Sequence, residues 1–172
     1  KLAWAGFPPT SGSLPNFGMD ETVDLAASGS VALDVSGFVV AVGSFDISKG
    51  TVSGSDGVTT LTDAQALTVS LSNVGVFVGV GASIADGGTA SDVGDDSLVT
   101  SDAIGFDVTV NLLQLVLVTQ GTTKYTGLEI TGLGGGLTGL SFLSFQVSGV
   151  TVQVNQVSDA SPKLDWAGFT PT

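Results

Sequence analysis

Long stretches of this chain alternate between apolar and polar residues. From Ser30 to Ser48, Val31, Leu33, Val35, Val39, Ala41, Phe45 and Ile47 point one way, while Ser30, Asp34, Ser36, Ser44, Asp46 and Ser48 point the other. That is the period of two of a β-strand. Phe38, Val40 and Val42 make the second face apolar in mid-run, and Gly37 and Gly43 read as bends or close backbone contacts. Lys49-Gly50 reads as a turn, and Ser53 to Gly57 as another. A second region runs from Ala66 to Ile84. Leu67, Val69 and Leu71 share a face, then the phase slips at Asn73 and Val74, Val76, Val78 and Val80 take over. A slip of one residue exchanges the two faces of a strand, so the pattern predicts a β-bulge near Asn73-Val74. After a polar loop from Ala85 to Asp102, a third region carries Phe106, Val108 and Val110 in phase, slips at Leu112-Leu113, and continues with Leu115 and Leu117.

A shorter strand is expected from Tyr125 to Thr131, then a flexible break at Gly132 to Gly136, then a last strand region ending in Val150, Val152 and Val154. Residues 8–22 are turn-rich. No helical spacing of apolar residues is sustained for three turns, and Val, Thr and Gly abound where Ala, Glu, Lys and Arg would fill a helix. The chain therefore reads as all-β, with five to seven strands or strand pairs. Strands far longer than the usual ~5–6 residues, bulged and partly apolar on both faces, predict an elongated β-sandwich or flattened barrel. A compact immunoglobulin-like sandwich with strands every 8–12 residues fits less well.

The two ends match each other. Residues 1–10 read KLAWAGFPPT and residues 163–172 read KLDWAGFTPT; they differ only at Ala3 against Asp165 and Pro8 against Thr170. Both tryptophans of the chain lie in these segments. One reading is that two edges of a closed domain share a motif. The preferred one is that residues 1–162 are one unit of a tandem array and 163–172 the start of the next, because periods this long mark arrays of whole domains and not solenoid repeats. Trp4, Phe7, Trp166 and Phe169 are then junction residues, with Pro limiting the freedom of the joint. Trp4 and Phe7 are expected to fill a pocket equivalent to the one that Trp166 and Phe169 fill in the following unit.

Composition narrows the chemistry. With 4 basic and 16 acidic residues among 172, the net charge is −12, which excludes the basic face that nucleic acid binding needs. There is no Cys and no His, so disulfides, Cys/His zinc sites and every triad with a His base are excluded within this chain. Hydrophobic residues make up 42% of the chain, too many for a disordered one. Neither a signal-peptide core nor a helical membrane span is visible, since Gly, Ser, Asp and Thr interrupt every apolar stretch. The absent signal would follow if the segment came from inside a longer polypeptide. Missing cysteine fits the cytosol or a bacterial exterior.

The candidate cation site is the acidic loop, with Asp86, Asp92, Asp95, Asp96 and Asp102. Calcium takes six to eight oxygens from such groups, and the alternative is a solvated polar loop. Asp20, Glu21 and Asp24 form a second acidic group. No carboxylate pair is flanked by the aromatic residues of a sugar cleft, Lys49, Lys124 and Lys163 read as surface charges, and Gly134 to Gly136 lack the Lys and helix of a phosphate loop. No catalytic residue is assigned, and no cofactor other than calcium has candidate ligands. Thr residues form no ladder of the kind that binds ice.

The stretches VALDVSGFVVAVGSFDISKGTV (31–52) and LTVSLSNVGVFVGVG (67–81) resemble repeat modules of very large bacterial surface or secreted proteins, grouped with RTX-type and hemolysin-type adhesin arrays. Gly87 to Asp92 resembles the RTX calcium nonapeptide, with Ala90 and Gly94 departing from it. The resemblance implies an extracellular or cell-surface, non-enzymatic module whose partners are neighbouring repeats and a cell-surface or matrix ligand. The expectation is thus a structural unit of a filament, stalk or adhesin scaffold. The alternative is a calcium-dependent, S-layer-like or ligand-binding surface module. An outer-membrane β-barrel is a third reading, disfavoured by the shortage of Trp and Tyr for aromatic girdles.

Overall fold

In a computed structural model, which describes residues 1–6 and 17–172, the chain is all-β. After a short 3-10 turn at Trp4–Gly6 come β1 (Val23–Val35), β2 (Val39–Ser55), β3 (Thr60–Val80), β4 (Ser83–Ala85), β5 (Ser97–Val99), β6 (Ile104–Gln120), β7 (Thr123–Thr138), β8 (Gln146–Val157) and β9 (Thr170–Pro171). The long strands form one antiparallel sheet in the order β1-β2-β3-β6-β7-β8, with β9 added to the end of β2. β4 and β5 make a separate small hairpin. β1 and β8 do not meet, so the sheet is open and not a barrel.

The predicted phase slip at Asn73 is present. Asn73 has φ +51°, and the β2–β3 register shifts between Val42 and Ser44 opposite it. Registers from β3 to β6 and from β6 to β7 are unbroken on either side of that row. Asn73, Asn111 and Gly132 fall in one line across the three strands, and Gly132 too has positive φ, +64°. Each of these strands carries one extra residue at this line, so the sequence phase flips while the apolar face stays the same.

Three local expectations differ from the structure. Val31 to Ile47 is not one strand but two, folded back at Ser36-Gly37, whose φ values are +52° and +69°. Lys49-Gly50 is not a turn; both residues lie inside β2, paired with β1 and β3. The glycines from 132 to 136 do not break the chain but belong to β7. Their register is imposed by β6 on one side and β8 on the other.

Alternation gives the sheet two unlike faces. One face carries Leu33, Ala41, Val76 and Val108 in one row and Leu71, Leu113, Ile130 and Val152 in another. The opposite face is polar in its middle, where Ser30 bonds Ser44 (3.0 Å), Ser48 bonds Thr68 and Gln153 donates to Glu129 (2.6 Å). At its two ends it is apolar and covered. At one end Val40 and Phe77 pack with Ala82, Ala103, Ile84 and Leu98 of the β4–β5 region. At the other, Leu61, Ala64, Val118 and Tyr125 pack beneath Leu164, Trp166 and Phe169 of the C-terminal segment. These two covers form a partial second layer.

Candidate functional site

The most completely built site is the seat of residues 163–172. Three strand ends supply its floor, because the apolar phase of β3, β6 and β7 turns toward the polar-centred face there: Leu61, Ala64, Val118 and Tyr125 are all buried. Leu164 enters this floor and is 1% exposed. Asn155 of β8 anchors the segment twice. Its Nδ2 donates to the Leu164 carbonyl (2.8 Å) and its Oδ1 accepts from Trp166 Nε1 (3.2 Å). The indole lies over Gly127, where a Cβ would stand 2.8 Å from Trp166 Cε2. Phe169 lies over Gly54 in the same way, with 2.7 Å to its Cζ. β9 then pairs Thr170-Pro171 with Gly54-Ser55, and Thr172 N–H donates to the Ser53 carbonyl (3.0 Å).

Electrostatics support the same seat. Asp56, in the β2–β3 turn, accepts from the N–H groups of Thr59 (2.6 Å), Val58 (2.9 Å) and Asp165 (2.9 Å). These bonds, Thr59 first, hold its carboxyl below the ordinary value of 3.8, because they favour the charged form. Asp165 Oδ1 in turn accepts from Ala167 (3.2 Å) and Gly168 (3.1 Å), closing the turn that follows Leu164.

Of the four junction residues, Trp166 and Phe169 are therefore brought together, on the body formed by this same chain. Phe7 lies outside the described residues. Trp4 is half-buried against Phe17, edge to face at 5.7 Å. Its neighbour Leu2 remains 55% exposed, although it corresponds in sequence to the buried Leu164. Lys1 pairs with Asp24, which holds the Asp24 carboxyl below its ordinary value.

In the acidic loop, carboxylate oxygens of Asp86, Asp95 and Asp96 lie within 4.8 Å of one another. Asp92 and Asp102 are not part of that group. Asp86 and Asp92 each use one oxygen to accept a local N–H, from Gly88 and Gly94 at 2.8 Å. Gln114, Glu129, Gln153 and Asn155 line an open cleft of about 570 Å³ beside Trp166. No helix among the described residues is long and apolar enough to cross a membrane.

Asn155, Asp56 and Gly127 carried no signal as site residues in the sequence, whereas Leu164 was marked only as part of the repeated decapeptide. Asn155 sits in an ordinary polar phase of β8, and Asp56 reads only as a turn residue. Comparison of the chain with family models, with curated proteins and with solved structures finds no match to any of them.

Proposed function

We propose that the chain is a structural, non-enzymatic unit of a long extracellular bacterial protein, repeated in tandem as part of a filament, stalk or adhesin scaffold. The observation that carries this reading is the decapeptide: one copy closes the end of the sheet, and an almost identical copy stands 162 residues earlier with its leucine unburied. A segment needed to finish one body and repeated at the start of the chain suits an array in which successive bodies share it. A net charge of −12 adds support, since acidic surfaces keep a long exposed polymer from associating non-specifically. The sequence flanking residues 1–172 in the parent polypeptide tests the reading. KLxWAGF is expected to recur at intervals of 162 residues, and a parent without further copies overturns the array.

A second reading, a calcium-dependent surface or lattice module, is favoured by the approach of Asp86, Asp95 and Asp96. A bound hard cation would draw these carboxylates together and raise stability by mass action. Calcium at millimolar concentration should then raise the melting temperature, and Asp95→Asn with Asp96→Asn should remove the rise. An unchanged melting temperature in calcium and in chelator rejects it.

A further inference from the structure

The geometry points to the seat of residues 163–172 as a receptor for the decapeptide itself, whichever copy supplies it, and to the segment beginning at Lys1 as the plug for the seat of a second copy; we propose that neighbouring bodies are joined in this way. The proposal rests on the array reading and adds direction to it: each decapeptide belongs by packing to the body before it and by sequence to the body after it. Three observations carry it. The contacts that hold the seated copy fall mainly on positions the two copies share. Leu164, Trp166 and Phe169 correspond to Leu2, Trp4 and Phe7, and the Asp56 and Asn155 bonds to main-chain N–H and C=O of the segment need no particular side chain there. The local shape is shared as well, since Trp4–Gly6 and Trp166–Gly168 both form a turn. Finally, the N-terminal copy leaves Leu2 out of any core, as expected of a segment whose seat lies on another body.

The two differences set the order of affinity. Ala3 replaces the Asp165 carboxylate that closes the turn, and Pro8 brings no N–H to the position that Thr170 occupies beside Ser55. Loss of these bonds makes the 1–10 sequence the weaker ligand, by on the order of tenfold.

The test uses the full chain with Leu164→Asp and Trp166→Ala, which should eject the resident segment. Fluorescein-labelled peptides of sequence 163–172 and 1–10 are titrated and read by anisotropy. The variant should bind both, the first more tightly, and wild type should bind neither. Adding Gly127→Val should abolish binding. If the variant has lost its sheet by circular dichroism, excess 163–172 peptide should restore it. No binding by a folded variant, or no recovery by an unfolded one, overturns the proposal. Recurrence of KLxWAGF in the parent without binding leaves the array standing and rejects the receptor; binding without recurrence supports the receptor and rejects the array.

A different observation carries a second inference. Among the described residues, nothing covers the middle of the sheet's apolar face. Leu25, Leu33, Val35, Val78, Phe106 and Val147, spread over β1, β3, β6 and β8, are each at least 39% exposed. The chain exposes 10388 Å², where a compact monomer of this mass exposes about 7,700 Å². We infer that this face meets the same face of a second copy, sheet on sheet. Asp34, Asp46, Asp107 and Glu129 all stand on the opposite face, leaving Lys49 and Lys124 as the charged residues paired on this one and Asp63, bonded to Ser53, at its end, so two such faces can meet over their middle without burying a carboxylate. Six strands about 4.8 Å apart and some 13 residues long offer about 1,000 Å² per copy, and two copies reach the range of permanent homodimers. A lipid surface fits worse, because open edges at β1 and β8 would leave backbone groups unpaired in hydrocarbon.

Light scattering and sedimentation of the full chain test this. Wild type should be a dimer at micromolar concentration. Leu33→Lys with Val78→Lys, at exposed positions, should be a monomer with unchanged circular dichroism. A monomeric wild type, a dimer that survives both substitutions, or a foreign protein on this face instead of a second copy overturns the inference.

Discussion

At the scale of single residues, the sheet uses glycine as a place to lay an aromatic ring. Trp166 lies over Gly127, Phe169 over Gly54, and the Phe77 ring over the facing pair Gly79 and Gly105. A strand glycine weakens its strand but lets another group approach the backbone closely. Gly127→Val, in a Trp4→Phe background, should therefore lift the indole from its seat. A loss of about 1–3 kcal/mol is expected, as for other overpacked sites, read from the denaturation midpoint, with a red shift of the single tryptophan's emission. Unshifted emission would place the ring elsewhere. Asp56 makes a prediction in pH. Its native carboxyl titrates below 3.8, so the folded state binds that proton less readily than the unfolded one. The stabilisation it gives is complete above the unfolded value and is lost as pH falls through the native one. Asp20 and Asp159, lowered first by Thr22 and Ser161 respectively, act in the same direction. The melting temperature should fall steeply below about pH 4, and less steeply in Asp56→Asn; parallel curves would show that Asp56 contributes nothing to acid unfolding.

At the scale of elements, the row through Asn73, Asn111 and Gly132 decides which side chains share a face. Asn73→Gly should be tolerated, whereas Asn73→Val should cost roughly 1–2 kcal/mol for a branched residue held at positive φ, measured by urea unfolding. Equal stability of the two variants would mean that the bulge relaxes. This slip was legible in the sequence because Val69, Leu71, Val74 and Val76 record the change of phase directly. The hairpin at Ser36-Gly37 was not, because it leaves the alternation intact: Val35 and Val39 face each other across the turn and keep the same parity. The β7 glycines were illegible for a different reason. A residue without a side chain records no face, and their strand conformation comes from pairing with β6 and β8. The seat of the C-terminal segment is assembled from β2, β3, β6, β7 and β8, far apart in sequence, and no local pattern announces it. Only its ligand was visible, as a repeated decapeptide.

At the scale of the whole molecule, most of the chain is one open sheet, and the last residues finish one end of it. That arrangement sets an order of events during synthesis. A chain growing at about 5–20 residues per second can pair β1 through β8 as they appear, but Leu61, Ala64, Val118 and Tyr125 stay bare until Leu164 and Phe169 follow. Closure of this end therefore waits until residues 164–169 have been made, and a product cut short before residue 164 carries a greasy opening for chaperones and proteases to find. In a string of such bodies, each would remain ajar until the ribosome had begun the next, and the string would need one more decapeptide than it has bodies.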